Sequence, residues 1–274
     1  MKLIDFDGLF DEKLAQYLAQ NKNKHTEREW EDVIPKLYKK FGDTKIAKIG
    51  CTPKEYYAKM TDSELVETLK AHISEDIPVS EFLCNEMERR GAVETLLPLL
   101  ATEDEQTVSY AVNLIGEDEQ AFDAYFDIIS KHRLTEDIRS DVTDILRAHA
   151  DKIKEKAKGF YERDMGKEYM LEILSRAKVR EGWIFDLLLK EFRTFDSVST
   201  RAGYLAAYGD ERALPYLLER MEDRTIGFVE FQELKYAIES LGGEYDEPRD
   251  FSEDKDYIAI EAASYDNGSD NNLS

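Results

Sequence analysis

Cysteine is scarce in this chain: Cys51 and Cys84 are the only two among 274 residues, and neither belongs to a C-x-x-C pair. That leaves no cysteine-based zinc site to propose, and two lone thiols suit a reducing compartment. Histidine is nearly as sparse, since His25, His72, His132 and His149 are scattered and none sits in an H-E-x-x-H pattern. Four isolated histidines read as helix-surface residues, and no metal ion is called for. No run of eighteen apolar residues exists, so no membrane-spanning helix is expected. The opening MKLIDFDGLF carries acidic residues where a signal peptide needs an apolar core, and the expectation is a cytoplasmic protein. The nucleophile elbow G-x-S-x-G, the P-loop and a G-x-G-x-x-G after a strand are missing as well. No catalytic residue can be placed and no cofactor is implied.

What is abundant is negative charge. The chain holds 59 acidic against 37 basic residues, a formal net charge of −22. Anionic membranes and nucleic acid repel such a surface, so the expected partner is a protein, a basic one first. With 42% apolar residues the chain has enough to bury a core.

Residues 204 to 222, YLAAYGDERALPYLLERME, join two amphipathic helices through a Gly-Asp turn. Gly209 suits the left-handed end of one helix and Asp210 the cap of the next, after which Ala213, Leu214, Leu217, Leu218 and Met221 recur at helical spacing. One such pair cannot bury its own apolar face, so it calls for stacked copies. Residues 114 to 129, LIGEDEQAFDAYFDII, repeat the glycine, the acidic cap and the spacing; residues 90 to 101, RGAVETLLPLLA, keep the glycine and Leu-Pro-x-Leu. Val112, Leu146, Leu174, Leu205 and Ile238 hold matching places, at steps of 34, 28, 31 and 33 residues. Helix pairs are expected at 79–90 with 92–101, 104–115 with 118–131, 136–148 with 151–162, 167–177 with 181–193 and 197–208 with 211–222, then a last helix at 226–241.

The run GDERALPYLLERMED resembles the turn and second helix of a short HEAT-like repeat of the phycobilisome-lyase type, and the resemblance extends over residues 79 to 243. It implies an all-α, α-α superhelix of about five to six helix pairs. Its relatives mostly bind proteins, while a minority bind nucleic acid or act as lyases or glycosylases.

Residues 1 to 78 differ. They are aromatic-rich and carry three capping boxes, Thr26 with Glu29, Thr52-Pro53 with Glu55, and Thr61 with Glu64, so they read as a helical N-terminal cap. Between Lys22 and Lys59 ten basic residues stand against six acidic ones, which makes this segment locally positive. From 244 to 274 ten acidic residues face two basic ones, and this acidic tail is expected to be disordered. Its one apolar island, Tyr257 to Ile260, is short but able to dock.

One cluster breaks the acidic trend. Lys152, Lys154, Lys156 and Lys158 open one second helix, and Arg176, Lys178 and Arg180 open the next, so stacking can bring all seven into a stripe for phosphate groups or an acidic peptide. The bland alternative is local pairing with Glu155, Glu162, Asp164 and Glu172. Charge reversal at Lys154 and Arg180 is expected to leave the fold intact. Tyr208 and Tyr216 are the aromatic residues expected at the surface, whereas Trp183 and Tyr204 are expected in the core. The reading is a noncatalytic scaffold or adaptor that lays a partner along its concave face. The alternatives are a HEAT-like glycosylase or lyase and an acidic inhibitor or immunity-type protein.

Overall fold

A computed structural model describes residues 3–21, 24–194 and 198–269. Among them the chain is all-helical; the sole strand-like feature is an isolated bridge in which Ile46 N–H donates to the Cys51 carbonyl at 3.0 Å. It divides into two compact units, Met1–Val142 and Thr143–Ser274. The expected cap and the first expected repeats therefore lie together in the first unit.

The first unit holds α1 (Phe6–Gln20), α2 (Glu27–Gly42), α3 (Pro53–Ala58), α4 (Asp62–Ser74), α5 (Glu81–Arg90) and α6 (Val93–Leu96), which runs into a 3-10 turn over Leu97–Ala101. It continues with α7 (Glu105–Ile115) and, after a 3-10 turn at Glu119–Ala121, α8 (Phe122–Ser130). The division between units falls inside α9 (Glu136–Ala148). The second unit contains α10 (Ala150–Glu162), α11 (Lys167–Ser175), α12 (Gly182–Thr194) and α13 (Val198–Tyr208). A 3-10 turn at Glu211–Ala213 leads to α14 (Leu214–Met221), followed by α15 (Phe228–Ser240) and α16 (Lys255–Ser269). Every helix expected between residues 79 and 241 is present, with ends within two residues of the expected ones when the adjoining 3-10 turns are counted with α6, α8 and α14.

Local chemistry explains the helix starts. In all three capping boxes the threonine side chain accepts from the glutamate N–H while the glutamate carboxylate accepts from the threonine N–H, at 2.7 to 3.3 Å. Two backbone donors that would otherwise lack a partner are satisfied at each start. The helix ends are less expected. Asp76, His132 and Asp164 each take a left-handed conformation one residue past a helix cap, at φ 53°, 51° and 61°. The next N–H of each reaches back five residues, Ile77 to His72, Arg133 to Ile128 and Met165 to Phe160. These are Schellman ends built without glycine, and they close α4, α8 and α10.

In the first unit the core is aromatic near the start. Phe6 packs edge-on against Tyr56 and Tyr57, and Phe10 packs against Tyr38 and Phe41. His72, read as a surface histidine, is fully buried, with Nδ1 2.9 Å from the Pro78 carbonyl oxygen. In the second unit the apolar sides of α10 to α15 bury Ile153, Leu174, Leu188, Leu205, Leu217 and Ile238. Part of the segment expected to be a disordered tail, from Tyr245 to Tyr257, packs onto the helices before it. Tyr245 is buried against Phe231, Phe251 contacts Phe228 and Phe231, and Arg249 Nη1 donates to the Asp223 carbonyl at 3.0 Å. Asp254 closes the arrangement by accepting from Phe228 N–H at the start of α15 and from Asp256 and Tyr257 N–H at the start of α16. Of the apolar island, Tyr257 packs on Phe228 while Ile258 and Ile260 remain about half exposed. Residues 270–274 lie outside the described residues.

Candidate functional site

The seven cations singled out in the sequence all belong to the second unit, on α10 and on the connection from α11 to α12. They do not form one stripe. Successive residues of an α-helix turn by about 100°, so lysines at every second position fall on opposite sides of α10. Lys154 and Lys158 take one side. The Lys154 ammonium pairs with Glu181, whose carboxylate also accepts from Trp183 Nε1, and the Lys158 ammonium lies 4.7 Å from the Trp183 ring centroid. Trp183, expected in the core, is therefore only half-buried and serves as a platform for a cation. The Lys154 hydrogen bond, then the Trp183 one, hold the Glu181 carboxyl below its ordinary value, and Glu181 in turn raises the Lys154 ammonium. Lys156 is half-buried on the other side of α10.

Lys152, Arg176 and Lys178 come together elsewhere. With Arg147, at the end of α9, they border an open hollow of about 630 Å³ that also includes Asp144, His149 and Asp151. The carboxylates there are committed. Asp151 Oδ1 accepts the N–H groups of Lys178 and Val179, both at 2.9 Å, and Asp144 accepts from Arg147 at 2.8 Å. Arg147 also reaches Glu172 on α11 at 2.5 Å. The hollow thus presents four cations against two carboxylates already engaged, a setting in which a compact anion could be held. Arg147 and Asp151 escape sequence reading, because each is an ordinary helix-surface charge until the chain folds; Glu172, expected as a local partner of the seven cations, pairs with Arg147.

Arg180 has intramolecular work. Its Nη1 donates to the carbonyls of Ala177 at 2.9 Å and Lys178 at 3.1 Å, and its guanidinium lies 4.7 Å from the Tyr208 ring centroid. Tyr208, expected at the surface, is fully buried. Its hydroxyl accepts from Glu181 N–H at 2.7 Å and lies 3.1 Å from the Glu181 carbonyl, so it fastens the start of α12 to the end of α13. Burial is the main cause that pushes its hydroxyl pKa up. Tyr204, expected in the core, is half-buried; Tyr216 is half-buried too, with the Arg193 guanidinium 5.4 Å from its ring. The expectation for 204 and 208 is thus inverted: the two share one side of α13, and the start of α12 covers the end of the helix that carries Tyr208.

Among the described residues no group of three or more histidine, cysteine, aspartate or glutamate side chains is placed to hold a metal ion, and no helix is long and apolar enough to cross a membrane. No family profile, curated protein or solved structure matches the chain.

Proposed function

We propose that the chain is a noncatalytic interaction scaffold of the HEAT-like kind, which lays a partner protein along the faces of its helix pairs. The observation that carries this reading is the turn that recurs at two places. Gly116 and Gly209 both take positive φ, at 57° and 71°. Asp118 and Asp210 follow, and each carboxylate accepts the N–H two residues on, at 3.0 and 3.1 Å. A 3-10 turn and then a helix come next in both, α8 and α14. A repeated helix-turn-helix unit supports an α-α superhelix, whose use is a long shallow surface made of many modest contacts. The acidic surplus favours a basic partner, and the unpaired Cys51 and Cys84 suit the reducing cytoplasm.

The test is a pull-down with the tagged full chain, with and without nuclease, eluted by a salt gradient. One or a few proteins released at moderate salt and indifferent to nuclease are the expected result. Recovery of nucleic acid, or loss of every partner after nuclease, overturns the reading.

A further inference from the structure

Within the first unit α2 has an apolar stripe that its neighbours do not finish covering. Trp30, Val33, Ile34, Leu37, Tyr38 and Phe41 recur at the spacing of one helix face, yet only Phe41 is buried and the other five are part-buried. By contrast, Phe122, Tyr125, Phe126, Ile128 and Ile129 of α8 are all buried. Ile34, Leu37, Tyr38 and Phe41 of this stripe line two hollows that share Phe10. One, of about 240 Å³, opens between α1 and α2 over Leu14, Tyr17, Leu37 and Phe41. The other, of about 470 Å³, opens between α2 and α5 over Ile34, Pro35, Tyr38 and Phe82. The floor is braced: Tyr38 stacks on Phe82 with ring centroids 4.7 Å apart, and its hydroxyl donates to Asp7 at 2.6 Å.

The rims are cationic. Lys13 and Lys40 border the first hollow with no carboxylate among the lining residues, and the Lys13 ammonium lies 4.9 Å from the Phe41 ring centroid. Lys39 and Lys54 border the second, opposite Glu81, with Lys54 also bound to Asp43 at 2.8 Å. Residues 22 to 59 carry +4 in a chain of −22, so the remainder carries −26. Charges are screened over about 8 Å at physiological salt, so a ligand seated here responds to these lysines and little to distant carboxylates. An anionic bilayer would spread well past the patch and meet the acidic remainder, which disfavours it.

On the reading of the chain as an interaction scaffold, we propose that the α1–α2 face receives an acidic amphipathic helix borne by the otherwise basic partner protein, with large apolar side chains in the two hollows and carboxylates against Lys13, Lys39 and Lys40. This is helix-in-groove recognition, in which a few apolar anchors supply the affinity and the flanking charges the specificity.

The probe is a fluorescein-labelled amphipathic helical peptide with leucine and phenylalanine on one face and glutamate on the other, titrated onto the full chain by anisotropy. A scrambled peptide of the same composition, a version with lysine in place of glutamate, and phosphatidylserine vesicles are the comparisons. The expected result is saturable binding of the acidic helix alone, weakened at least about tenfold by K13E/K40E, two exposed lysines whose reversal leaves the circular dichroism spectrum unchanged. Equal binding of the scrambled or lysine peptide, capture of vesicles instead, or no binding of the acidic helix overturns the proposal. Repeating the pull-down with K13E/K40E separates the two readings. A partner retained by this variant removes the groove and spares the scaffold, whereas peptide binding with no cellular partner removes the scaffold and spares the groove.

Discussion

Tyr161 on α10 donates its hydroxyl proton to Glu191 Oε1 on α12 at 2.5 Å, in a place where Glu191 is only 4% exposed. Burial, and then this bond, push the tyrosine hydroxyl well above its ordinary value, while the nearby Arg201 guanidinium pulls the other way. Arg201 is itself buried on α13 and pairs with Glu168 at the start of α11. These bonds join α10 to α12 and α11 to α13; Tyr161, Glu191 and Arg201 are buried while Glu168 is half exposed, and bonds to buried charges are the costly ones to lose.

Tyr161→Phe leaves the Glu191 carboxylate without that partner and is expected to destabilise the fold by about 1.5–3 kcal/mol. In a Glu191→Met background the same change is expected to cost about 1 kcal/mol or less, because no buried carboxylate is left behind. Urea midpoints of the four chains in this cycle measure the coupling, and equal costs in both backgrounds would show that the bond contributes nothing specific.

Stability in acid is expected to depend on Glu86. Its carboxylate accepts from Arg89 at 2.7 and 2.9 Å and from Arg90 at 2.7 Å, and the Arg89 bond foremost holds its pKa down to about 2, against 4.5 ordinarily. A carboxyl lowered by folding stabilises the native state above the unfolded pKa, and that stabilisation is lost as pH falls through the folded one. Glu86→Gln should therefore flatten the pH dependence of unfolding free energy between about pH 4.5 and 2. An unchanged slope in denaturant titrations across that window would count against the pair.

Two glycines should respond in opposite senses to alanine. Gly209 sits at φ 71°, and an added Cβ would come within 3.0 Å of an Arg180 nitrogen, so Gly209→Ala is expected to cost about 1–2 kcal/mol. Gly159 lies inside α10 with nothing within 4 Å of the added atom, so Gly159→Ala should gain roughly 0.5–1 kcal/mol. Thermal unfolding of both variants decides it.

Arg180 and Arg176 should separate structure from surface. Arg180→Glu removes two bonds to carbonyls and the stacking on Tyr208, with an expected loss of about 1–3 kcal/mol, whereas Arg176→Glu should stay within about 0.5 kcal/mol. Reversal at Lys154 and Arg180 is still expected to leave the fold intact, at that reduced stability. Equal unfolding midpoints for the Arg180 and Arg176 variants would show that these bonds and the stacking contribute nothing.

Much of the local architecture was readable from residue order because its causes are local. Thr26, Thr52 and Thr61 each form reciprocal bonds with the glutamate three residues on, whereas Thr102 and Glu105 share that spacing but Asp104 caps α7 instead. Val112, Leu146, Leu174, Leu205 and Ile238, which hold matching places in the sequence, are all buried. The turn glycine of the pattern is missing where α9 meets α10 and where α11 meets α12, and the left-handed His132 and Asp164 stand elsewhere, past the ends of α8 and α10.

What only the tertiary structure decided concerns which side of each helix is covered and by what. The seven cations shared a region of sequence, but alternate positions on α10 point apart, so three of them joined Arg147 and two met Glu181 and Trp183. Tyr204 and Tyr208 share one apolar spacing, and only the position of the α12 start made Tyr208 the buried member. Composition marked residues 244 onward as tail, yet a few anchors, Tyr245, Arg249, Phe251 and Asp254, suffice to fasten part of it to α15. Helix propensity and capping act over one or two turns, so sequence fixes them early; burial and ion pairing depend on neighbours distant in the chain, and no local pattern encodes which neighbour arrives.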